Sequence, residues 1–305
     1  MSYLSMREFR ANLIKLFEPW ERRQIRWLSY GMQVQRTQVL QALGMRHPLY
    51  ERMEACGTMD EGRNNMVTCG VPLCPRCFMR RRGKETGRAL KQAFAGVPNE
   101  QLSFLTLLLP PTLDLGSVDA SIELTKRRIR NMIAYRRAQD PRWSAVQLTG
   151  WWEMDRDGFG DLPGFGRNKR IAMDALGWPL FAPRADSTVW RPHLHGIVAL
   201  GEVSRVEFAE ALRAKGHGAP YQVDLQAFDA TRSVVKNIKS VIRYALKFRI
   251  ETDFKANRDA LGDVGGDVCA RSWWSNEDVR SYAEWLMSKR GGFERIRFIV
   301  RSCSL

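Results

Sequence analysis

The chain has 305 residues, 44% hydrophobic and 27% charged, which are the proportions of a globular protein with a sizeable core. No apolar run is long enough for a membrane span or a secretory signal, so we expect a cytoplasmic protein with no membrane partner. The formal net charge of +15 favours a polyanionic partner, with nucleic acid well ahead of an anionic membrane surface.

The N-terminal region predicts helices. Residues 3–47 place apolar and basic side chains at helical spacing, in one or two amphipathic helices broken near Pro19. We interpret them as a helical cap on the domain; a helix pair that contacts DNA is the alternative. Basic residues then cluster in segments 76–84 and 126–130, which strengthens the expectation of a nucleic-acid partner.

A cysteine cluster follows. Four of the six cysteines lie close together in the sequence, at Cys56, Cys69, Cys74 and Cys77. Disulfides are rare in a reducing cytoplasm, and the Cys74-x-x-Cys77 spacing lets two thiolates bind one tetrahedral zinc ion. A redox role for Cys74 and Cys77 is the alternative, but no strand–helix context of that kind surrounds them. We therefore expect a structural zinc site formed by all four cysteines.

From residue 100 the pattern becomes regular. Strand, helix, strand, strand, helix, strand and helix are predicted at 103–109, 117–138, 145–154, within 191–200, and at 202–215, 221–226 and 233–248. Residues 155–187, rich in Gly, Pro and Asp, predict a long hairpin excursion. This order predicts an α+β fold in which an antiparallel sheet carries helices on one face, as in ferredoxin-like folds.

The last 55 or so residues are predicted to add a Gly-rich linker, a helix near 276–289 and a closing strand near 294–300. The resulting domain organisation has three parts: an N-terminal helical region with the zinc module at 1–98, a central domain at 99–250, and a C-terminal helix–strand extension at 251–305.

Two histidines mark the third of these strands. Because side chains alternate along a strand, His193 and His195 face the same way and Leu194 faces the core. Two imidazoles about 7 Å apart along a strand can converge on one metal ion. A pair of hydrogen-bonded histidines at a strand edge is the alternative interpretation.

A tyrosine marks the last helix of the pattern. At 3.6 residues per turn, Asn237, Ser240, Tyr244 and Lys247 follow one polar flank of an apolar stripe, so the Tyr244 hydroxyl can reach the sheet. Lys247 could lower the pKa of that phenol or hold a phosphate oxygen. The alternative is an interfacial tyrosine with a satisfied hydroxyl.

Together these motifs resemble a known superfamily. The strand Phe104–Leu107, the His-Leu-His strand and the helix with Tyr244-x-x-Lys247 occur in the order found in the HUH endonucleases, and the chain is similar to replication initiators of rolling-circle plasmids and phages. Those proteins often have an upstream cluster that ends in Cys-Pro-x-Cys followed by arginines, as residues 69–82 do. Gly150–Met154 fits a strand that some members place before the histidines. The resemblance covers residues 56–248.

The resemblance implies an enzyme that nicks and rejoins single-stranded origin DNA. Tyr244 would attack the scissile phosphate and keep the 5′ end as a phosphotyrosine, with Lys247 assisting. His193, His195 and Glu153 would hold a divalent ion, Mn²⁺ or Mg²⁺. A host polymerase and helicase in a bacterial cytoplasm would be partners.

The same resemblance and the charge pattern suggest where DNA would bind. The candidate phosphate contacts are Arg80, Arg81, Arg82 and Arg243. Base stacking is expected from Trp151, Trp152 and Trp190; the alternative is that these tryptophans belong to the core. That alternative must hold for one of the first two, because neighbours on a strand face opposite ways. Within the excursion, a clamp is expected from Arg167, Lys169 and Arg170.

Two alternatives stay open at this stage. A transposase or relaxase of the same superfamily would use the same chemistry, although the upstream cysteines favour replication. A protein of another class, a non-catalytic zinc-containing regulator that binds nucleic acid, would form no covalent adduct. One departure from relatives concerns termination, because the turn before Tyr244 offers Ser240 where some relatives have a carboxylate, and the helix has no second tyrosine.

Overall fold

The computed structural model describes residues 30–60, 62, 65–181, 187–248, 250–254, 270–288 and 291–302. The chain divides into two compact units, Met1–Arg80 and Arg81–Leu305. The part of the predicted helical cap before residue 30, including the break near Pro19, lies outside the described residues. Among the described helices, none has the length and apolar character needed to cross a membrane.

The first unit contains short elements around the cysteines. They are helices α1 (Tyr30–Leu43) and α2 (Pro48–Glu54), strands β1 (Met59–Asp60) and β2 (Asn65–Met66), and the start of helix α3 (Pro75–Arg88). Pro48 opens α2 because its missing N–H would have no partner in the first turn. His47 caps this helix, with its Nδ1 accepting a hydrogen bond from the Leu49 amide at 3.2 Å.

The second unit is built on one sheet. Its elements in chain order are β3 (Leu102–Leu108), α4 (Leu115–Gln139), β4 (Gln147–Gly158), α5 (Arg167–Ala175), β5 (Thr188–Ala199), α6 (Arg205–Arg213), β6 (Val223–Ala227), α7 (Val234–Ala245), β7 (Glu251–Phe254), β8 (Ala270–Trp273), α8 (Asn276–Met287) and β9 (Arg297–Val300). The five-stranded sheet has the order β6-β3-β5-β4-β9, and every neighbouring pair is antiparallel. The predicted α+β class and antiparallel sheet are confirmed.

The two faces of this sheet differ in chemistry. One face presents Leu105, Leu107 and Leu194, which are fully buried. Because the period of a strand is two, the neighbouring positions carry the opposite face, and there the register aligns Thr106 with His195. Because Glu153 is aligned with His193, Glu153, His193 and His195 lie on this second face as well.

A pair of facing glycines allows the central strands to pack closely. Gly150 of β4 lies opposite Gly196 of β5. A Cβ atom at Gly150 would lie 2.8 Å from Leu194 Cδ1, and one at Gly196 would lie 2.8 Å from Leu148 Cδ1. These glycines leave room for the two leucines, which fill the core behind the histidine-bearing face.

The excursion expected at 155–187 is shorter and more ordered than predicted. Strand β4 continues to Gly158, and α5 follows a short 3₁₀ segment at Phe159–Gly164. The helix is held by a small apolar cluster whose buried members are Ala172, Met173, Trp178 and Val189. At the other end of the chain, the predicted closing strand is β9, which pairs with β4 and completes the sheet.

Candidate metal centres and catalytic tyrosine

The four predicted cysteines converge on one buried point. Their Sγ atoms lie 3.6 Å apart for Cys56 and Cys77, 3.5 Å for Cys69 and Cys77, and 3.5 Å for Cys74 and Cys56. Zinc–sulfur bonds of about 2.3 Å in a tetrahedron place sulfurs about 3.8 Å apart, so the cluster fits one such ion after a small expansion. The cluster could therefore hold a metal ion, as the spacing predicts.

Turns position the sulfurs. Gly57 and Gly70, which follow the first two cysteines, have φ values of +99° and +69°, in the left-handed region that favours glycine. The Gly70 amide donates to Cys77 Sγ at 3.3 Å. Amides that point at sulfur stabilise the thiolate form, which is the form that binds a metal.

Ionisation of the cluster is strongly coupled. The pKa of Cys56 is lowered because it accepts hydrogen bonds from the neighbouring thiols, first of all Cys69. The pKa of Cys69 is raised because it donates to the others and is buried. Without a cation the thiols therefore do not all ionise together, and binding of a metal to four thiolates releases protons.

A second cluster of metal-ligand type lies on the polar face of the sheet. Glu153 of β4 is aligned directly with His193 of β5. Its Oε2 atom lies 3.5 Å from His193 Nε2 and 3.2 Å from His195 Nε2, and all three side chains are buried. An ion with bonds of about 2.1 Å would separate such donors by about 3 to 3.4 Å. This group, which the resemblance identifies, could also hold a metal ion.

The other ring nitrogens set the orientation of the histidines. His193 Nδ1 donates to the Arg191 carbonyl oxygen at 3.3 Å, because a carbonyl can only accept. This contact leaves His193 Nε2 toward Glu153, and a carbonyl on the other ring nitrogen is the usual partner of a histidine that binds a metal. His195 Nδ1 lies 3.1 Å from the Thr106 hydroxyl, which leaves its Nε2 toward Glu153 as well.

The protonation states suit ligands. Burial by itself would raise the pKa of Glu153, but hydrogen bonds with His193 and His195 outweigh it and lower the pKa to about 2. Burial lowers the pKa of His195 to about 4. At neutral pH the carboxylate is therefore ionised and the His195 imidazole is neutral, as metal binding requires.

A buried ion-pair network adjoins the cluster and was missed by sequence reasoning. The Arg191 guanidinium lies 2.6 Å from Asp155 and 2.9 Å from Asp157. Burial would lower the pKa of Arg191, but the two aspartates outweigh it and raise the pKa. The alternation of Glu153, Asp155 and Asp157 along one strand face was the available signal. Because both aspartates lie on β4, these ion pairs link Arg191 of β5 to the neighbouring strand. The backbone carbonyl of the same arginine orients His193.

Tyr244 lies beside the histidine cluster. Its ring centroid is 4.9 Å from that of His195 and 5.7 Å from that of Phe104, both in edge contacts. The residue is 46% exposed, so one side of the phenol is open to a substrate. Lys247 Nζ lies 3.3 Å from the ring centroid, in a cation–π contact. The structure thus brings together the tyrosine, the lysine and the histidines.

Helix α7 positions this tyrosine but is shorter than predicted. Ser233 caps it by accepting from the Lys236 amide at 3.3 Å, and Ile238 and Ile242 bury its apolar stripe. The helix ends at Ala245 rather than near residue 248, so Lys247 reaches the ring from beyond the helix end.

Comparison with known proteins gives no match, whether with family models, with curated proteins or with solved structures. The chemistry of the two clusters and of Tyr244 is therefore what indicates a function. A buried four-thiolate cluster resembles a closed structural site, whereas two imidazoles and one carboxylate leave coordination positions open.

The predicted DNA-binding arginines lie in different surroundings. Arg82 and Arg243 line an open pocket together with Tyr244. Arg81 is ion-paired with Glu294 and, at 2.8 Å, with Glu85. Arg80 is an exposed residue at the end of the first unit. Of the four, only Arg82 and Arg243 are placed next to the tyrosine.

The prediction that tryptophans stack on bases is wrong. Trp151, Trp152 and Trp190 are 1%, 2% and 4% exposed. Trp151 and Trp152 do face opposite sides of β4, but both sides are covered in this central strand, so neither indole is accessible. Trp151 Nε1 instead donates to the buried Glu85 at 3.4 Å.

Asn237 and the residues of the expected DNA clamp lie away from the tyrosine contacts described above. Asn237 is buried, and its amide nitrogen donates to Asn99 Oδ1 at 3.1 Å and to the Asp229 carbonyl oxygen at 2.8 Å. The three residues of the expected clamp lie on α5. Lys169 Nζ lies 3.6 Å from the Phe165 ring centroid. The remaining clamp residues, Arg167 and Arg170, are exposed.

Proposed function

We propose that this protein is a rolling-circle replication initiator that nicks and rejoins single-stranded origin DNA through a covalent 5′-phosphotyrosine at Tyr244. The observation that carries the proposal is the edge contact between the Tyr244 and His195 rings, whose centroids are 4.9 Å apart. His195 is a member of the Glu-His-His group that could hold a metal ion. This reaction needs a phenol next to a metal ion that binds the phosphate, and Tyr244 lies next to a group that could hold such an ion.

The order of elements in the second unit supports the proposal. Apart from α5, which lies between β4 and β5, the elements follow the order β3-α4-β4-β5-α6-β6, which is a β-α-β-β-α-β order. The four strands lie in the sheet as β6-β3-β5-β4. This order is compatible with a ferredoxin-like core, the core expected of the HUH endonucleases that the sequence motifs resemble. The first unit, with its buried cysteine cluster, would supply the upstream zinc module.

The chain's own residues suit the roles they would take. A phenol with a pKa near 10 is mostly protonated at neutral pH and is a weak nucleophile, so it needs activation. The Lys247 ammonium against the ring favours the phenolate by its charge. Mn²⁺ or Mg²⁺ bound by His193, His195 and Glu153 would supply Lewis-acid polarisation of the phosphate.

The covalent step conserves the phosphodiester. The Tyr244 oxygen forms a bond to phosphorus as the bond to the 3′ oxygen breaks. The half-exposed phenol gives its proton to solvent water, and the departing 3′ oxygen takes up a proton from solvent, so that no net proton is consumed. Because the tyrosyl bond is again a phosphodiester, a 3′-hydroxyl can reverse the step and rejoin the strand without ATP. The released 3′ end would prime synthesis by a host polymerase.

Adduct formation tests the proposal. The protein is incubated with Mn²⁺ and overlapping single-stranded oligonucleotides that cover both strands of its own replicon, and is then run on denaturing gels. We expect a shifted protein–DNA band that is absent in Tyr244→Phe and in His193→Ala. Tyr135→Phe is a matched control, since Tyr135 is also exposed and has Lys215 near its ring, at 5.5 Å; it should keep the band.

Other outcomes would favour the alternatives. An adduct that persists in Tyr244→Phe would place the nucleophile elsewhere. Binding of single strands with no adduct at any sequence would favour a non-catalytic zinc-containing regulator. Cleavage at transposon ends or at a transfer origin, and not at a replication origin, would favour a transposase or relaxase.

A further inference from the structure

Besides its contact with His195, Tyr244 lines an open pocket of about 400 Å³. We name it the Arg82 pocket; it is lined by Arg82, Ser240, Arg243, Tyr244, Lys247 and Phe248. Tyr244 thus borders the pocket and contacts His195 of the metal-ligand cluster. Whatever fills the pocket lies next to the group that reacts at Tyr244.

The charges of the pocket are of one sign. Three of its lining side chains are cations, two carry a hydroxyl, and none is a carboxylate. Within the described part of the chain, the guanidinium groups of Arg82 and Arg243 make no hydrogen bond or ion pair. Other arginines of the same unit are paired, as Arg81 is with Glu85 and Arg295 is with Asp119.

Like charges held close together destabilise each other unless an anion lies between them. The pKa of Arg82 is lowered, first by burial and then by the charge of Arg243. Guanidinium groups match the geometry of phosphate oxygens and bind them through charge-assisted hydrogen bonds. The charge and geometry of the pocket therefore suit an anion of phosphate type, and the Ser240 hydroxyl adds a neutral donor.

We infer that the Arg82 pocket binds a backbone phosphate of the single strand, adjoining the phosphate that Tyr244 attacks. This inference rests on the proposed function. With one phosphate at the cluster and its neighbour in the pocket, the strand would be held on both sides of the tyrosine. Such a second hold would fix the orientation of the scissile group for in-line attack.

Binding without cleavage tests the inference. All variants are made in the Tyr244→Phe background, and no divalent metal is added, so that no strand is cut. Affinity for a fluorescent oligothymidylate of about 16 nucleotides, a usual length for one single-strand site, is measured over a series of salt concentrations. Arg243→Gln is the leading variant because Arg243 is exposed and its loss should not affect folding; Arg82→Gln is the second.

We expect each variant to bind about ten-fold more weakly, since a charge-assisted hydrogen bond is lost. The slope of log affinity against log salt should become about 0.7 less steep for each lost phosphate contact. Arg205→Gln removes the same charge from an exposed position on α6 and should leave the slope unchanged.

Unchanged slopes for Arg243→Gln and Arg82→Gln would overturn the inference. So would a loss of inorganic phosphate binding in these variants with DNA binding intact, since the pocket would then take a free anion and not the strand. The proposed function is tested separately by the adduct. If wild-type protein forms no adduct but the slopes change, the pocket is upheld and the nickase proposal fails.

Discussion

The two buried ligand clusters of this protein are assembled in different ways. The cysteines come from one short stretch of chain, 56–77, and two left-handed glycines bring their sulfurs together locally. Glu153, His193 and His195 come from two strands and converge only when β4 and β5 pair in one register. One cluster depends on turns, and the other depends on a sheet.

They also differ in what they leave open. Four thiolates complete a tetrahedral shell, which is typical of a structural site. Two imidazoles and a carboxylate complete only part of a shell, and the half-exposed Tyr244 lies against the ring of His195. Burial is therefore common to both clusters, and they differ in the number and type of their donors and in the residues beside them.

The largest effect is expected at the four-cysteine cluster. If a metal organises it, Cys74→Ser should unfold the segment 56–80, because the free energy of binding a structural zinc, about 10 kcal/mol or more, is then also free energy of folding. Hydrogen exchange of this segment should rise to the unprotected rate, and metal analysis of the wild type should give about one zinc per chain.

Met79→Ser is the control for that change. Met79 is exposed and lies two residues after Cys77, so its loss should leave both exchange and zinc content unaltered. If Cys74→Ser exchanges as slowly as Met79→Ser, the cluster does not organise its surroundings, and the contrast with the sheet-built site fails.

The strands β4 and β5, which carry Glu153 and the two histidines, should instead depend on the ion pairs that link them through Arg191. Arg191→Met leaves Asp155 and Asp157 buried without their cation, and breaking such a pair costs about 3 to 5 kcal/mol. Urea unfolding of the full chain measures the loss. Arg142→Met removes an exposed arginine paired with Asp140 and Glu207 and should have a much smaller effect, because exposed ion pairs add little to stability.

Equal costs for the two arginine variants would contradict this assignment. A triple variant that also converts both aspartates to asparagine should recover part of the stability, since no unpaired charge then remains buried. Recovery would show that the loss comes from the orphaned carboxylates and not from the volume of the arginine side chain.

The contrast between the clusters also explains what sequence could predict. Local spacing was enough for the cysteines, since Cys74-x-x-Cys77 positions its sulfurs within one turn. Alternation was enough to place His193 and His195 on one face. The partner Glu153 came from family resemblance, and its exact alignment with His193 is a matter of register.

Register is what the sequence left undetermined. A slip of one residue would reverse every side chain of a strand, so the pairing of Asp155 with Arg191 could not be read from either strand alone. The tryptophan prediction was wrong for a related reason. Whether Trp152 faces solvent depends on what covers β4, and that cover comes from distant parts of the chain.

A third buried group serves as a reference for the histidine cluster. Both ring nitrogens of His217 are buried without a hydrogen-bond partner in the described structure, and burial lowers its pKa to about 4. The unfolded chain binds a proton near pH 6.5, so stability is full above that value and is lost as pH falls toward 4. The expected loss at pH 4 is about 3 kcal/mol.

Comparison with His217→Leu isolates this effect. The difference in free energy of unfolding between wild type and variant should change between pH 6.5 and pH 4 and stay constant above pH 7. A constant difference throughout would mean that His217 is solvated or paired, and it would no longer show what an unliganded buried histidine does.

The smallest effect is expected where Thr106 contacts His195 of the Glu-His-His group. Its hydroxyl lies 3.1 Å from His195 Nδ1, and this contact holds the ring with Nε2 toward Glu153. Thr106→Val keeps the shape but removes the hydroxyl. Loss of such an outer contact lowers metal affinity by about 10- to 100-fold. Mn²⁺ binding to the intact protein, followed by titration calorimetry, measures it directly.

Thr106→Ser decides whether the hydroxyl or the packing matters. Serine keeps the oxygen and loses only the methyl group, so its Mn²⁺ affinity should stay near that of the wild type. If valine binds as tightly as serine, the sheet alone orients His195. The weakening should also be partial, because His193 is oriented by the Arg191 backbone carbonyl, which no side-chain change at position 106 removes.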